Sequence, residues 1–278
     1  MENNFEIEFF LLGVPKAASS WIYRCFKEHP EIYVPEKDSL RYFDLKYHKG
    51  ISWYKKHYEE AEKAQIKIDP SPTYFRSPVA PQRIANDFPN AKFILCLRNP
   101  VDRAFSQFWH EKKNQRFDFD FSEVIDNFLL YSWYVETGFY CTHLKKFLGF
   151  FDKNRFKILL YDELNSNPSL FISKIFEFLC VDSSFQPSIL NKRVNVAGFE
   201  KNIKISFAEN IFRAFKNSFL FKGISLEKKQ KIKSFLSNKN EYEKGIPSIT
   251  KDELISIYKS DIAELENLTG IELSQWKR

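Results

Sequence analysis

The stretch Lys92–Ser106, KFILCLRNPVDRAFS, decides how the rest of the chain is read. After Lys92 come five apolar residues, Phe93-Ile94-Leu95-Cys96-Leu97, and then Arg98-Asn99-Pro100. A short continuous apolar run closed by a turn signal reads as a buried strand. From Val101 to about Lys113 apolar residues recur at helical spacing, so a helix follows at once. A strand without polar alternation belongs in a sheet covered on both faces, which in practice means a parallel sheet with helices on either side.

Working outward, the same grammar recurs. Phe5–Val14 is an apolar run ending at Gly13, followed by Pro15-Lys16-Ala17-Ala18-Ser19-Ser20 and a helical pattern from Trp21 to about His29. Ser19 or Ser20 is expected at or near that helix's N-cap. Ile32–Val34 and Ile66–Ile68 read as short extended pieces, and Pro78–Phe88 as a helix with Pro81 in its first turn. Phe156–Tyr161, FKILLY, is another strand, with a helix from about Pro168 to Cys180. Val194–Lys204 has no period and reads as a loop, and the remainder is largely helical, most clearly Lys251–Leu268. There is no repeat, low-complexity tract or linker. The expectation is a single α/β domain over residues 1–278, with a central, mostly parallel sheet flanked by helices.

Composition narrows the function classes. The chain has 278 residues, 44% of them hydrophobic, with a net charge of +6. The modest positive excess suits an anionic small ligand, but basic residues are interleaved with acids rather than gathered into a nucleic-acid-binding stripe. The densest run, Lys228–Lys233 (KKQKIK), fits a solvated helix face. Aromatics reach 17%, mostly Phe, which compositional drift of a genome accounts for. Cys25, Cys96, Cys141 and Cys180 show no metal-ligand spacing and are expected to be reduced thiols, with no metal site. The start, MENNFEIEFFLLGV, lacks a signal peptide's basic region and cleavage site, and no run approaches the roughly 20 apolar residues of a bilayer span. A cytoplasmic protein without a membrane span is therefore expected.

Two of these strand–turn–helix units can bind anions. Backbone N–H groups at the helix after Ser20 carry partial positive charge, Lys16 adds a full one, and Ser19 and Ser20 add hydroxyls. The spacing equally fits an ordinary βα turn. Arg98 leaves its strand at the carboxyl end, where open α/β sheets bind ligands, and Ser106 follows on the next helix. A guanidinium fork with a hydroxyl suits a terminal phosphate, although an ion pair of Arg98 with Asp102 is the structural alternative.

At these residues the chain resembles the sulfotransferases that use 3′-phosphoadenosine 5′-phosphosulfate (PAPS). Val14-Pro15-Lys16-Ala17-Ala18-Ser19-Ser20-Trp21 is similar to their 5′-phosphosulfate motif, PKxGTTxL, and Phe93–Ser106 to their 3′-phosphate motif, LRNPxxRxxS. Asp69-Pro70-Ser71-Pro72-Thr73-Tyr74-Phe75, Gly138-Phe139-Tyr140 with Leu144, and Tyr258–Glu266 followed by Trp276 resemble further family segments. The resemblance implies a P-loop-like sulfotransferase fold of the bacterial or carbohydrate type. It also implies a PAPS donor, released as the bisphosphate PAP. Lys16, Ala17, Ala18, Ser19, Ser20 and Trp21 would form the 5′-phosphosulfate loop, and Arg98 and Ser106 would hold the 3′-phosphate. Ala18 stands where the family usually has Gly, and Ser19-Ser20 replaces Thr-Thr while keeping both hydroxyls.

The resemblance further implies in-line transfer to an acceptor hydroxyl or amine, with a glycan or glycolipid as the first acceptor class. Lys16 would meet the charge growing on the leaving group, and a carboxylate general base would take the acceptor proton. Pro35–Asp44, PEKDSLRYFD, resembles the segment that carries this acid, which makes Asp38 the expected base. An ungapped match from Tyr42-Phe43 puts Ser39 at the acidic position instead. Glu36, His110 and Asp69 are further candidates. Two other readings stand beside the enzyme: a non-catalytic nucleotide-binding protein of the same fold, and a P-loop kinase. Leu159-Leu160-Tyr161-Asp162-Glu163 has the look of a Walker-B strand, but GxxxxGK[ST] is missing.

Overall fold

In the computed structural model, residues 5–62, 65–113, 119–190 and 245–277 are described. The strands β1 (Phe9–Gly13), β2 (Ile32–Tyr33), β3 (Ile66–Asp69), β4 (Lys92–Leu97) and β5 (Phe156–Leu160) form one sheet in the order β2-β3-β1-β4-β5. Every pairing is parallel, with Phe9 opposite Ile68, Phe10 opposite Phe93, and Phe93 opposite Phe156. β1 lies in the middle because all five of its residues are buried, which requires cover on both faces. β4 is likewise buried after its exposed first residue, Lys92.

Parallel neighbours need crossovers, and helices supply them. α1 (Ser19–Glu28) leads from β1 to β2, and α2 (Ile51–Lys55) precedes β3. α3 (Ala80–Asp87) joins β3 to β4, with Pro81 in its first turn as expected. Between β4 and β5 lie α4 (Pro100–Lys113), the short α5 (Glu123–Asp126) and α6 (Phe128–Leu130), and α7 (Tyr140–Leu148). α8 (Tyr161–Ser166), α9 (Pro168–Leu179) and the long α10 (Ser248–Thr269) complete the set used below. Among the described residues no helix is long and apolar enough to cross a membrane.

Several boundaries differ from the sequence reading. β1 begins at Phe9 rather than Phe5, whose ring packs edge-on against Tyr58 and Phe88 instead. α8 was not anticipated. Glu163 folds back to accept the Leu160 N–H at 3.0 Å, which starts a helix directly from the strand end. Asn167 then accepts the Leu170 N–H at 3.0 Å and caps α9, with Pro168 at its first position. The segments Val194–Lys204 and Lys228–Lys233 lie outside the described residues.

Many of the phenylalanines fill the core. Phe10, Phe43, Phe88 and Tyr54 meet largely edge to face, and Phe93 packs on Phe147, Phe151 and Phe156. Such pairs add about 0.5–1.5 kcal/mol each beyond area burial. Cys25, Cys96 and Cys141 are buried free thiols and Cys180 is an exposed one.

Candidate active site

The first candidate anion-binding unit is the turn between β1 and α1. The Val14 N–H donates to the Cys96 carbonyl at 2.9 Å, which clamps the turn to the neighbouring end of β4. Gly13 has φ +108, and a Cβ there would come within 2.9 Å of Pro72, so only glycine lets the two segments pass this closely. The helix N-cap is Ala18, not Ser19 or Ser20, and it sits in the left-handed region at φ 65. The two serines are instead the first two residues of α1, where the backbone N–H groups have no intrahelical partner. Lys16 also has positive φ, at 72. Alternation of left- and right-handed residues turns successive N–H groups toward one concavity, which favours an anion.

Trp21 does not serve this loop with its side chain. Its indole is buried, packs on Phe171, and donates to the Ile189 carbonyl at 3.3 Å. Even its backbone N–H is already given to the Ala18 carbonyl. Ala17 is wholly buried and contributes backbone only.

The second unit is the β4–α4 junction. Asn99 caps α4, its Oδ1 accepting the Val101 N–H at 3.0 Å, and Pro100 opens the helix. Arg98 is held at three points. Its carbonyl accepts from the Tyr140 hydroxyl at 2.8 Å, its Nη1 donates to the Lys16 carbonyl at 3.2 Å, and its guanidinium lies 4.9 Å from the centre of the Tyr161 ring. The ion pair with Asp102 weighed from sequence does not form. Arg98 and Lys16 thus meet at the carboxyl edge of the sheet. A cavity of about 420 Å³ opens there, lined by Arg98, Asp102, Phe105, Ser106, Gly245, Ile246 and Lys251.

Sequence reasoning missed how the chain's far end reaches this cavity. Lys251, on α10, brings a cation from the opposite end of the sequence. The α10 helix is locked in place by Asp261, which accepts the Cys141 and Thr142 N–H groups at 2.9 and 3.0 Å and so caps α7. Tyr258 fits over Gly138, where any Cβ would lie 2.7 Å from its ring, and donates to the Val135 carbonyl at 2.8 Å. Trp276 packs edge-on against Tyr140, the residue that holds the Arg98 carbonyl. The signal available was the YxxDI pattern, but its role as a cap needs the partner helix.

The acid candidates part company. Asp69, at the end of β3, is fully buried and accepts from Tyr54 at 2.7 Å, Ser71 at 2.5 Å and Tyr74 at 3.0 Å. Burial pushes its pKa up to about 6 despite these hydroxyls, which favour the charged form. The Tyr74 oxygen in turn accepts the backbone N–H groups of Tyr42 and Phe43 at 2.8 and 3.3 Å. Asp69 therefore anchors the chain after the 36–39 loop and is not placed to meet a substrate.

Asp38 is exposed on a bend and makes no hydrogen bond or ion pair with another described residue. Its loop is pinned from α1: the Tyr23 hydroxyl donates to the Pro35 and Glu36 carbonyls at 2.8 and 2.6 Å. Burial, with Glu36 and Asp38 nearby, pushes the Tyr23 phenol up to about 12, so it stays a donor. Glu36 is 91% exposed and paired with Lys27 at 2.5 Å. The Ser39 Oγ is enclosed and has no hydrogen-bond partner among the described residues. His110, four residues after Ser106 on α4, is exposed while Ser106 is buried. The structure links Arg98 to the Lys16 backbone and sets Ser106 with Arg98 in the cavity lining, which does not include Lys16, Ser19 or Ser20; it leaves Asp38, Glu36, His110 and Asp69 in different environments.

Comparison with known proteins gives a consistent picture. Residues 6–242 match a family model described as a sulfotransferase domain. A mouse bifunctional heparan sulfate N-deacetylase/N-sulfotransferase 4 is 28% identical over 200 residues, covering 65% of this chain and 23% of that protein. The mouse heparan sulfate glucosamine 3-O-sulfotransferase 3B1 is 27% identical over 176 residues, covering 61% of this chain and 45% of the relative. The chain thus spans less than half the length of these relatives. The crystal structure of a sulfotransferase from Alicyclobacillus acidocaldarius superposes with a TM-score of 0.72 at 22% identity, over 99% of this chain and 100% of that one, a likeness of fold.

Proposed function

This chain belongs to the sulfotransferase domain family, and from that premise we propose that it transfers a sulfuryl group from PAPS to a hydroxyl or amine of a carbohydrate. We take residues 1–278 as one such domain. The observation that carries the reading is the bond from Arg98 to the Lys16 carbonyl, which ties two anion-binding units into one edge beside the cavity. A guanidinium, an ammonium, hydroxyls and helix-start amides are the groups that two separated phosphates need, so the residues present fit PAPS. The relatives' action on heparan sulfate supports a carbohydrate acceptor.

On this reading Lys16 and the first-turn amides of α1 hold the 5′ side, Ser19 and Ser20 add hydroxyl donors, and Arg98 and Ser106 hold the 3′-phosphate. PAPS supplies the activated sulfuryl group. Lys16 neutralises charge at the departing phosphate oxygen, where a preorganised cation lowers the barrier most. Asp38, exposed and without a hydrogen-bonded partner among the described residues, is free to accept the acceptor proton. The alternative of a nucleotide-binding protein without activity would keep the Arg98 edge and show no transfer.

The test is the response of Arg98→Ala to the 3′-phosphate. Calorimetric binding of PAP should weaken about tenfold or more, since a charge-assisted bond contributes roughly 1.5–3 kcal/mol, while binding of AMP should change little. Equal losses for both nucleotides would remove the assigned role. Transfer of labelled sulfate from PAPS to a glycan separates enzyme from binding protein.

A further inference from the structure

Arg76 lies seven residues beyond the buried Asp69, on the short turn Tyr74–Arg76 that leaves the carboxyl end of β3. The segment leading to it passes against the donor loop, since Pro72 abuts Gly13. Its guanidinium is half-buried and stacks 4.5 Å from the centre of the Trp133 ring. Stacking orients the fork but leaves its in-plane N–H groups unused. None of them meets an acceptor among the described residues.

The neighbours sharpen the point. Arg41 spends its own fork on Asp44, donating through Nε at 3.0 Å and Nη2 at 2.8 Å, and Thr73 donates to the same oxygen at 2.8 Å. Arg103 is committed to Gln107 and to the Tyr134 carbonyl. Burial, then the charges of Arg41 and Arg103, pull the Arg76 pKa down, and Asp44 and Glu136 only partly offset them. A desolvated cation among cations, without a carboxylate of its own, is stabilised when an anion arrives. Trp133 is fixed by its Nε1 donating to Glu111 at 2.9 Å, yet the residue stays 44% exposed beside this fork.

We propose that Arg76 and Trp133 form an acceptor subsite for an acidic sugar residue, the guanidinium gripping a carboxylate or sulfate and the indole packing on the sugar ring. Planar, bidentate recognition is what a preoriented guanidinium does best. An exposed, rigid aromatic surface gives contact area to the C–H face of a pyranose at little entropic cost. The inference rests on the carbohydrate-acceptor reading and narrows it to glycans that carry an anion near the reacting residue.

The test uses the full chain, PAPS, and three matched hexasaccharides: alternating glucosamine and glucuronate, its carboxyl-reduced neutral counterpart, and that neutral chain bearing one sulfate per disaccharide. The wild type should favour one or both acidic chains by about tenfold or more in kcat/KM, expressed through KM. Arg76→Gln should abolish that preference and leave transfer to the neutral chain within about twofold. Arg76→Lys, which keeps charge without the fork, should recover only part of it, and Trp133→Ala should raise KM for all three. PAP affinity reports that each variant is folded. Which acidic chain is preferred tells carboxylate from sulfate. A wild type indifferent to charge, or a preference that survives Arg76→Gln, would overturn the subsite. No transfer to any of the three sugars, with PAP bound normally, would bring down the carbohydrate reading itself and the subsite with it.

Discussion

Asp69 and Asp38 are both acids near the carboxyl edge of the same sheet, and they have opposite surroundings. Asp69 is fully buried, with three hydroxyls on its oxygens and a fourth link through Tyr74 to the backbone at Tyr42 and Phe43. Asp38 is exposed on a bend, with no hydrogen bond to another described residue. The difference separates tasks. A buried carboxylate whose oxygens are occupied by hydroxyls is out of an acceptor's reach and serves as an anchor, whereas an exposed one on a pinned loop can meet an acceptor proton. The anchor also steadies the proposed base, because the chain it holds follows directly from the loop that carries Asp38.

That contrast can be broken most decisively at Asp38. Asp38→Asn keeps size and removes basicity, so sulfate transfer should fall about 10²–10⁴-fold while PAP affinity stays within about twofold. Retained turnover would move the role to Glu36, whose pair with Lys27 is exposed, or to His110. Lost nucleotide binding would make Asp38 an anchor like Asp69, and the comparison would collapse.

The next effect is thermodynamic. The Asp69 pKa lies at about 6, above the ordinary 3.8, so the folded state binds the proton more tightly than the unfolded chain does. Its contribution is therefore most favourable below pH 4 and is lost as pH rises toward 6, by roughly 3 kcal/mol, then stays level. Asp69→Asn should remove this slope. Chemical denaturation of wild type and variant between pH 4 and 7.5 should show the variant gaining relative to the wild type up to pH 6 and no further. Parallel curves would mean that the hydroxyls hold Asp69 charged throughout.

The smallest expected effect tests the turn between β1 and α1. Ala18 holds a left-handed conformation that costs a residue with a Cβ about 1–2 kcal/mol. Ala18→Gly removes that cost and adds unfolded-state entropy worth about 0.4–1 kcal/mol, for a net gain of roughly 0.5–1 kcal/mol. The thermal midpoint should rise slightly, with PAP affinity unchanged. A fall in the midpoint would show that the methyl group packs well enough to offset its backbone.

The proposed donor side was legible because its parts lie close together in the chain. β1, the Gly13 turn and α1 are consecutive, and so are β4, Asn99-Pro100 and α4. Ser19 and Ser20 do lie next to the cap, but Ala18 takes the left-handed cap position itself, which a hydroxyl near a helix start does not reveal. Trp21 was misplaced for a related reason: a motif position names a residue but not the direction of its side chain.

What the sequence determined by itself was the parallel α/β sheet and the two strand–turn–helix junctions, after β1 and after β4, proposed to bind the donor. Apolar runs, helical periods, a glycine and a proline act over a few residues, and that range is enough to set strands, helices and the turns between them. The tertiary structure alone decided that Asp69 is an anchor, that Lys251 reaches the Arg98 cavity, and that Arg76 lies on Trp133 without a carboxylate of its own. Burial and pairing depend on which distant segments meet, and the free energy of a charge depends on those neighbours more than on its place in the chain.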